Sequence, residues 1–377
     1  MRLLFASVGS YGHVIPLLPL ALAARDAGHA VTFATAKRGH AVLLDAGLDA
    51  IPVGPTVADA FAEVYAAGAS KVSATAITFG SLLPRRTVAD LLPLLRQEPP
   101  DLVVYGVLNP GAAIAARLAG VPAVCHGVGK VSGEPTWHAM CGTWLATAAE
   151  LGVAAPARDP ELLGNPFVDI CPPSLRWRGF QPAVRLPMRP GRWSQPGSVP
   201  LVAYQRARGR PLVYLTFGTQ FVKPGLYRQA VDGLAGLPVD VLVAAGSQAA
   251  CDEIGAAPGN VTLQRWVPQD DVLPHVDLVV SHGGSGTVLG ALANGLPQLL
   301  LPQRADQFSN ARAVVEAGAG RQLLPGQLTP YAVAAQARAL LEDESALLAA
   351  GLLAKEIAAQ PAPGVVVERL ISYDVCH

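Results

Sequence analysis

Short, unbroken apolar runs alternate with amphipathic or alanine-rich stretches along most of the chain, and glycines punctuate them. Residues 3–8 make a first strand-like run, followed by a turn at Gly9 and Ser10. A helix is expected from Pro16, which a first turn tolerates, to residue 27, where Gly28 stops it. Strand 31–34, helix 38–46, strand 102–105, helix 110–118 and strand 121–125 continue the alternation. Apolar runs without polar alternation, set between helices, predict a parallel sheet covered on both faces. Residues 57–98 are less periodic and read as two helices around mobile connections, and 135–151 as a longer helix.

Prolines then crowd residues 152–200 and break every potential element there, so the end of this stretch is a linker candidate. The pattern restarts with strand 212–217, helix 226–234, and strands 239–244 and 261–263. A short helix around Asp270, strand 278–281, helix 283–294, strand 298–301, helix 309–317 and a mostly helical 329–359 complete it. The fold class is α/β, with two similar units that each begin strand, glycine turn, helix. The division expected is 1–197, 198–355, and a terminal helix within 356–377 crossing back to the first unit. In such units ligands gather at the carboxyl ends of the strands.

Composition narrows the function. Of 377 residues, 51% are hydrophobic and 15% charged, which excludes disorder as the main theme. Basic and acidic residues balance at 28 each, so the basic excess of a nucleic-acid binder is absent. The N-terminal apolar run 14–24 carries Pro16 and Pro19 and falls short of the roughly 20 residues a membrane span needs. No cleavage signature follows it, and Cys125, Cys141, Cys171, Cys251 and Cys376 are odd in number with no CxxC. These features predict a cytoplasmic protein with reduced cysteines. The oligomeric state is not fixed by the sequence; a homodimer stays open.

The richest chemistry lies at Ser281-His282-Gly283-Gly284-Ser285-Gly286-Thr287, between a buried strand and a helix. Glycines permit close backbone approach, and Ser285, Thr287 and free helix amides suit phosphate oxygens, with His282 as a further donor. A purely structural tight turn is the other reading. No Lys follows as in a P-loop, and GxGxxG is absent. In the first half, His13 follows the strand and turn; the position suits a general base or, equally, a helix cap. His126 and His138 could line a pocket, but no HxH, HExxH or DxD set marks a metal site.

Three segments carry a resemblance: Gly12-His13-Val14-Ile15-Pro16, residues 212–219, and the run RWVPQDDVLPHVDLVVSHGGSGTVLGALANGLPQLLLPQRADQ at 265–307. Across nearly the whole chain the sequence resembles nucleotide-sugar-dependent glycosyltransferases of the GT-B fold, with two facing Rossmann-like domains. More narrowly it is similar to the actinobacterial enzymes that decorate antibiotics. The resemblance implies that His13 is the base that deprotonates an acceptor hydroxyl, with inversion at the anomeric carbon and no metal or other cofactor. It implies a donor site of Trp266, Val267 and Gln269 at base and ribose; Thr219, His282, Gly284, Ser285, Gly286 and Thr287 at the diphosphate; and Ala305, Asp306 and Gln307 at the sugar. A core role for Trp266 and a helix-capping role for Asp306 are the plainer alternatives. The Asp that usually follows strand 101–105 to orient the histidine is missing, since Gly106 stands there. Tyr105, Asn109, a more distant acid or a phenolic acceptor could compensate.

Residues 126–129 and 164–175 resemble enzymes of enediyne pathways, including the calicheamicin type, which implies a thymidine-diphosphate deoxysugar (or a uridine-linked one) and a bulky apolar aglycone. Phe61, Tyr65, Phe79, Leu83, Trp137, Met140 and Trp144 are candidate acceptor contacts. Alternative functions are a sugar-nucleotide epimerase or phosphorylase on the same scaffold, or a two-lobed binding protein without catalysis.

Overall fold

The apolar runs become strands buried on both faces, and the computed structural model describes them within residues 1–194, 196–204, 209–218 and 225–372. The described chain forms two compact units: Met1–Cys171 with Arg176–Trp193 and the segment from Gln360 onward, and Pro172–Leu175 with Ser194–Ala359.

The first unit holds β1 (Arg2–Ala6), β2 (Ala30–Thr35), β3 (Asp49–Pro52), β4 (Leu102–Gly106), β5 (Ala123–His126), β6 (Phe167–Asp169) and β7 (Arg185–Pro187). They pair in parallel in the order β3-β2-β1-β4-β5-β6-β7. The core includes Phe5, Phe33, Val103 and Phe167, each fully or almost fully buried. Each such side chain contributes about 1.5–3 kcal/mol of transfer free energy. The helix Pro363–Ser372 packs on Leu18–Asp26 within this unit, and Arg189 N donates to Pro361 O at 3.0 Å.

Two expectations need correction. Residues 57–98 form three α-helices, Val57–Ala66, Lys71–Ile77 and Leu83–Gln97, with a π-helical turn at Thr78–Leu82 joining the last two. Thr56 and Ser70 cap the first two through side-chain oxygens, a signal that the alanine-rich composition masked. The proline-rich stretch also contains β6 and β7. Their prolines lie beside the short ladders or at their ends, where a missing N–H does no harm.

The second unit holds β8 (Leu212–Thr216), β9 (Asp240–Ala244), β10 (Val261–Gln264), β11 (Leu278–Ser281), β12 (Gln298–Leu300) and β13 (Gly320–Gln322). All are parallel, in the order β10-β9-β8-β11-β12-β13. In both sheets the strand order reverses beside the first strand, between β1 and β4 and between β8 and β11. Connections leave a reversal point in opposite directions and open a crevice at the carboxyl ends of the two strands.

Candidate active site

In the second unit, Thr216 of β8 and Ser281 of β11 are register partners at the reversal point, so Gly218 and His282 emerge side by side. Gly218 has φ +74°, and a Cβ there would lie 3.0 Å from His282 Cε1. One built on Gly284 would lie 2.6 Å from His282 Nε2. The imidazole is therefore clamped between two backbones that only glycine lets so near. It hydrogen-bonds the Thr216 backbone, while its buried Nδ1 has no partner among the described residues. Loss of solvation, aided by the charge of Arg304, lowers its pKa to about 4 against the Thr216 bond.

The helix Ser285–Ala293 starts at once, and its first internal bond runs from Val288 N to Gly284 O. The amides of residues 285–287 thus have no intrahelical partner, and the helix dipole adds positive potential there. The hydroxyls are engaged within the protein. Ser285 Oγ donates to Asp306 Oδ2 at 2.9 Å, and Thr287 Oγ1 to Gln269 Oε1 at 3.2 Å.

Asp306 occupies the N-cap position of the helix Gln307–Glu316, yet its side chain caps nothing. Its carboxylate instead joins Ser285 and accepts from Asn310 Nδ2 at 3.0 Å. Ala305 is held at φ +53°, a strained conformation for a residue with a side chain. Gln307 Oε1 locks that turn, accepting from Gln303 N at 2.9 Å and Arg304 N at 3.0 Å. Trp266 is 39% exposed, so it is no core aromatic, while Val267 beside it is buried. Thr219 lies outside the described residues.

Sequence reasoning missed two residues here. Asn310 is buried and donates to Gly283 O (2.9 Å), Ser285 Oγ (3.1 Å) and Asp306, tying the glycine turn to the turn that precedes the helix Gln307–Glu316. Its spacing of four from Asp306, one helical turn, was the available signal. Arg304 is the other; its charge helps to lower the pKa of His282.

In the first unit, His13 lies in a short helix, Tyr11–Val14, separated from the end of β1 by four residues. Among the described residues its imidazole has no hydrogen-bond or ionic partner, so it caps no helix. The half-buried ring loses solvation, which lowers its pKa to about 4. Phe79 lies beside it, ring centroids 6.2 Å apart, and the π-helical turn carries Phe79 there. Tyr105 is turned away, its hydroxyl donating to Leu162 O at 3.0 Å and accepting from Asn165 Nδ2 at 3.1 Å. Asn109 is buried with Oδ1 unpartnered. Of the candidate acceptor contacts, Leu83 and Trp144 are core, Trp137 and Met140 are buried, and Phe61, Tyr65 and Phe79 form one aromatic row.

Two parallel sheets with these reversal points make a pair of Rossmann-like units, and similarity to known proteins gives the class: the protein is a glycosyltransferase of the GT-B fold. Residues 228–373 match the family model of the erythromycin biosynthesis protein CIII-like C-terminal domain. The L-demethylnoviosyl transferase of Streptomyces niveus is 31% identical over 98% of this chain and 97% of its own length. The elloramycin glycosyltransferase ElmGT of Streptomyces olivaceus is 33% identical over 98% and 97%. The crystal structure of the Streptomyces sp. SF2575 glycosyltransferase SsfS6 complexed with thymidine diphosphate aligns with TM-score 0.82 at 29% identity, covering 98% of this chain and 99% of that one. The chain belongs to the actinobacterial antibiotic glycosyltransferases.

Among the described residues, no helix is long and apolar enough to cross a membrane, and no group of three or more His, Cys, Asp or Glu is arranged to hold a metal ion.

Proposed function

We propose that the protein is an inverting, metal-independent glycosyltransferase of antibiotic biosynthesis, working in the cytoplasm. It moves a deoxysugar from a thymidine- or uridine-diphosphate donor to a hydroxyl of a polyketide or similar natural product. The first unit takes the acceptor and the second the donor. One observation carries this reading: the glycine-clamped His282 beside the unpaired amides of residues 285–287, at the reversal point of the second sheet. The diphosphate of the donor sits on those amides, with His282 beside it and Arg304 adding charge. Trp266, Val267 and Gln269 bound the nucleoside, and Ala305, Asp306 and Gln307 meet the sugar. Complexes of relatives with thymidine diphosphate support the donor assignment.

In the reaction, an imidazole nitrogen of His13 accepts the acceptor's hydroxyl proton while that oxygen forms a bond to the anomeric carbon. The anomeric bond to the diphosphate breaks, and its electron pair leaves on the phosphate oxygen. Charge that grows there meets fixed donors, each typically worth about 2.7–4 kcal/mol when its removal is measured. Mass spectrometry of products from a panel of nucleotide sugars and aglycones tests the reading, with NMR assignment of the anomeric configuration. His13→Ala is expected to abolish transfer while calorimetry still detects thymidine diphosphate binding. Retained configuration, or a wild-type rate in that variant, contradicts it.

A further inference from the structure

The turns that follow β11 and β12 leave neighbouring strands, because Ser281 and Leu300 are register partners and Leu301 N donates to Ser281 O at 2.7 Å. The first turn carries the glycines and leads to Ser285, and the second carries Asp306. A Cβ on Gly283 would stand 3.1 Å from Gln307 O, so the glycine turn lies against the start of the helix Gln307–Glu316. Asn310 spans the two. It is 3% exposed, and its Nδ2 reaches Gly283 O, Ser285 Oγ and Asp306 Oδ2, all within 3.1 Å. A side-chain amide has two N–H donors, so the three acceptors share them, and only while both turns keep this spacing.

The direction of these bonds decides what each group can do. Ser285 Oγ accepts from Asn310 and gives its single proton to Asp306 Oδ2. A phosphate oxygen needs a donor, and a hydroxyl so committed offers it only lone pairs. The Ser285 side chain therefore serves the carboxylate, and the diphosphate is left the backbone amides of residues 285–287. Asp306 agrees from its own side. A side chain at a helix N-cap ordinarily accepts from the second or third amide of its own helix. Asp306 gives up that bond and takes two at Oδ2 instead, from Ser285 and Asn310, each strengthened by its charge.

We infer that Ser285 and Asn310 are positioning residues for the donor sugar: they fix the Asp306 carboxylate in register with the glycine turn, so the sugar is read at the distance its own diphosphate sets. The inference rests on the reading that Asp306 meets the sugar. It reassigns the Ser285 hydroxyl, which the resemblance placed at the diphosphate, to the sugar side. A ligand with a diphosphate and no sugar gains little from this arrangement, whereas a nucleotide sugar gains all of it.

The test is calorimetry without acceptor, comparing thymidine diphosphate with the thymidine-diphosphate deoxysugar that turns over fastest in the panel. The quantity read is the ratio of the nucleotide sugar's Kd to that of the diphosphate. Ser285→Ala is expected to leave thymidine diphosphate within about threefold of wild type and to raise the ratio at least about fivefold. Asn310→Ala also frees the Gly283 carbonyl, so both ligands weaken, the nucleotide sugar at least about fivefold more than the diphosphate. Asp306→Ala is expected to raise the ratio at least about tenfold. Adding either of the other substitutions to it should change the ratio by less than about twofold, because the group they position is gone. General loosening of the unit would instead weaken both ligands alike and would add to Asp306→Ala. Equal loss of both ligands in Ser285→Ala, or full additivity in the double variants, overturns the inference and leaves the glycosyltransferase reading standing. An unchanged ratio in Asp306→Ala overturns the underlying placement of Asp306 at the sugar instead.

Discussion

Gly284→Ala isolates the role of the clamped imidazole. The backbone at Gly284 has φ −64° and ψ 140°, which alanine adopts without strain, so the fold itself tolerates the change. The added Cβ would stand 2.6 Å from His282 Nε2, against the 3.4 Å at which ordinary contact begins, so the ring must retreat by about 0.8 Å. A retreat of that size takes the imidazole out of hydrogen-bond range of the Thr216 carbonyl, a loss of about 0.5–1.5 kcal/mol. It also moves the ring from the diphosphate, where a bond to a charged group is worth about 1.5–3 kcal/mol. Thymidine diphosphate affinity should therefore fall roughly 10- to 150-fold. Calorimetric titration measures it, and differential scanning fluorimetry should show Tm moved by no more than about 4 °C. Gly286→Ala is the comparison: its Cβ meets no protein atom within 4 Å, so any loss there reports direct contact with ligand. Affinity within twofold of wild type for Gly284→Ala would refute the placement of the diphosphate beside His282.

Two further outcomes concern the first unit. Asp169 is 2% exposed and pairs with Arg176 Nε at 2.8 Å and with Arg185, while accepting from Cys171 N at 3.0 Å. Asp169→Asn strips two part-buried guanidiniums of their counter-charge, at about 3–5 kcal/mol, and thermal denaturation should show Tm lower by on the order of 10 °C; a change under about 3 °C refutes this. His126 is fully buried with its pKa lowered to about 4 by desolvation, whereas the unfolded imidazole titrates near 6.5. The unfolded state binds the extra proton in that window, so stability is complete above about 6.5 and falls by up to about 3 kcal/mol toward pH 4. Denaturant titrations should show His126→Gln losing that part of the acid slope, and an unchanged slope would contradict the assignment.

The sequence by itself determined the alternation of buried strands and helices, because apolar runs flanked by glycines leave little other than a covered parallel sheet. It also marked the glycine-rich turn at His282, where residue type and spacing together limit what the backbone can do. It misjudged residues 57–98 and the proline-rich stretch, where helix caps and three-residue strands carry little periodic signal. Only the tertiary structure decided why Gly218 and Gly284 are glycines, since the ring they clamp sits between two turns from different strands. Asn310 was hidden for a similar reason: its three partners lie on separate segments that only folding brings within hydrogen-bond reach. The aromatic row from Tyr65 to His13 likewise needs a π-helical turn to carry Phe79 from its own helix to the end of β1. Local pattern encodes which face of an element is buried; which residues meet at a strand's end is set by sheet order, a long-range property.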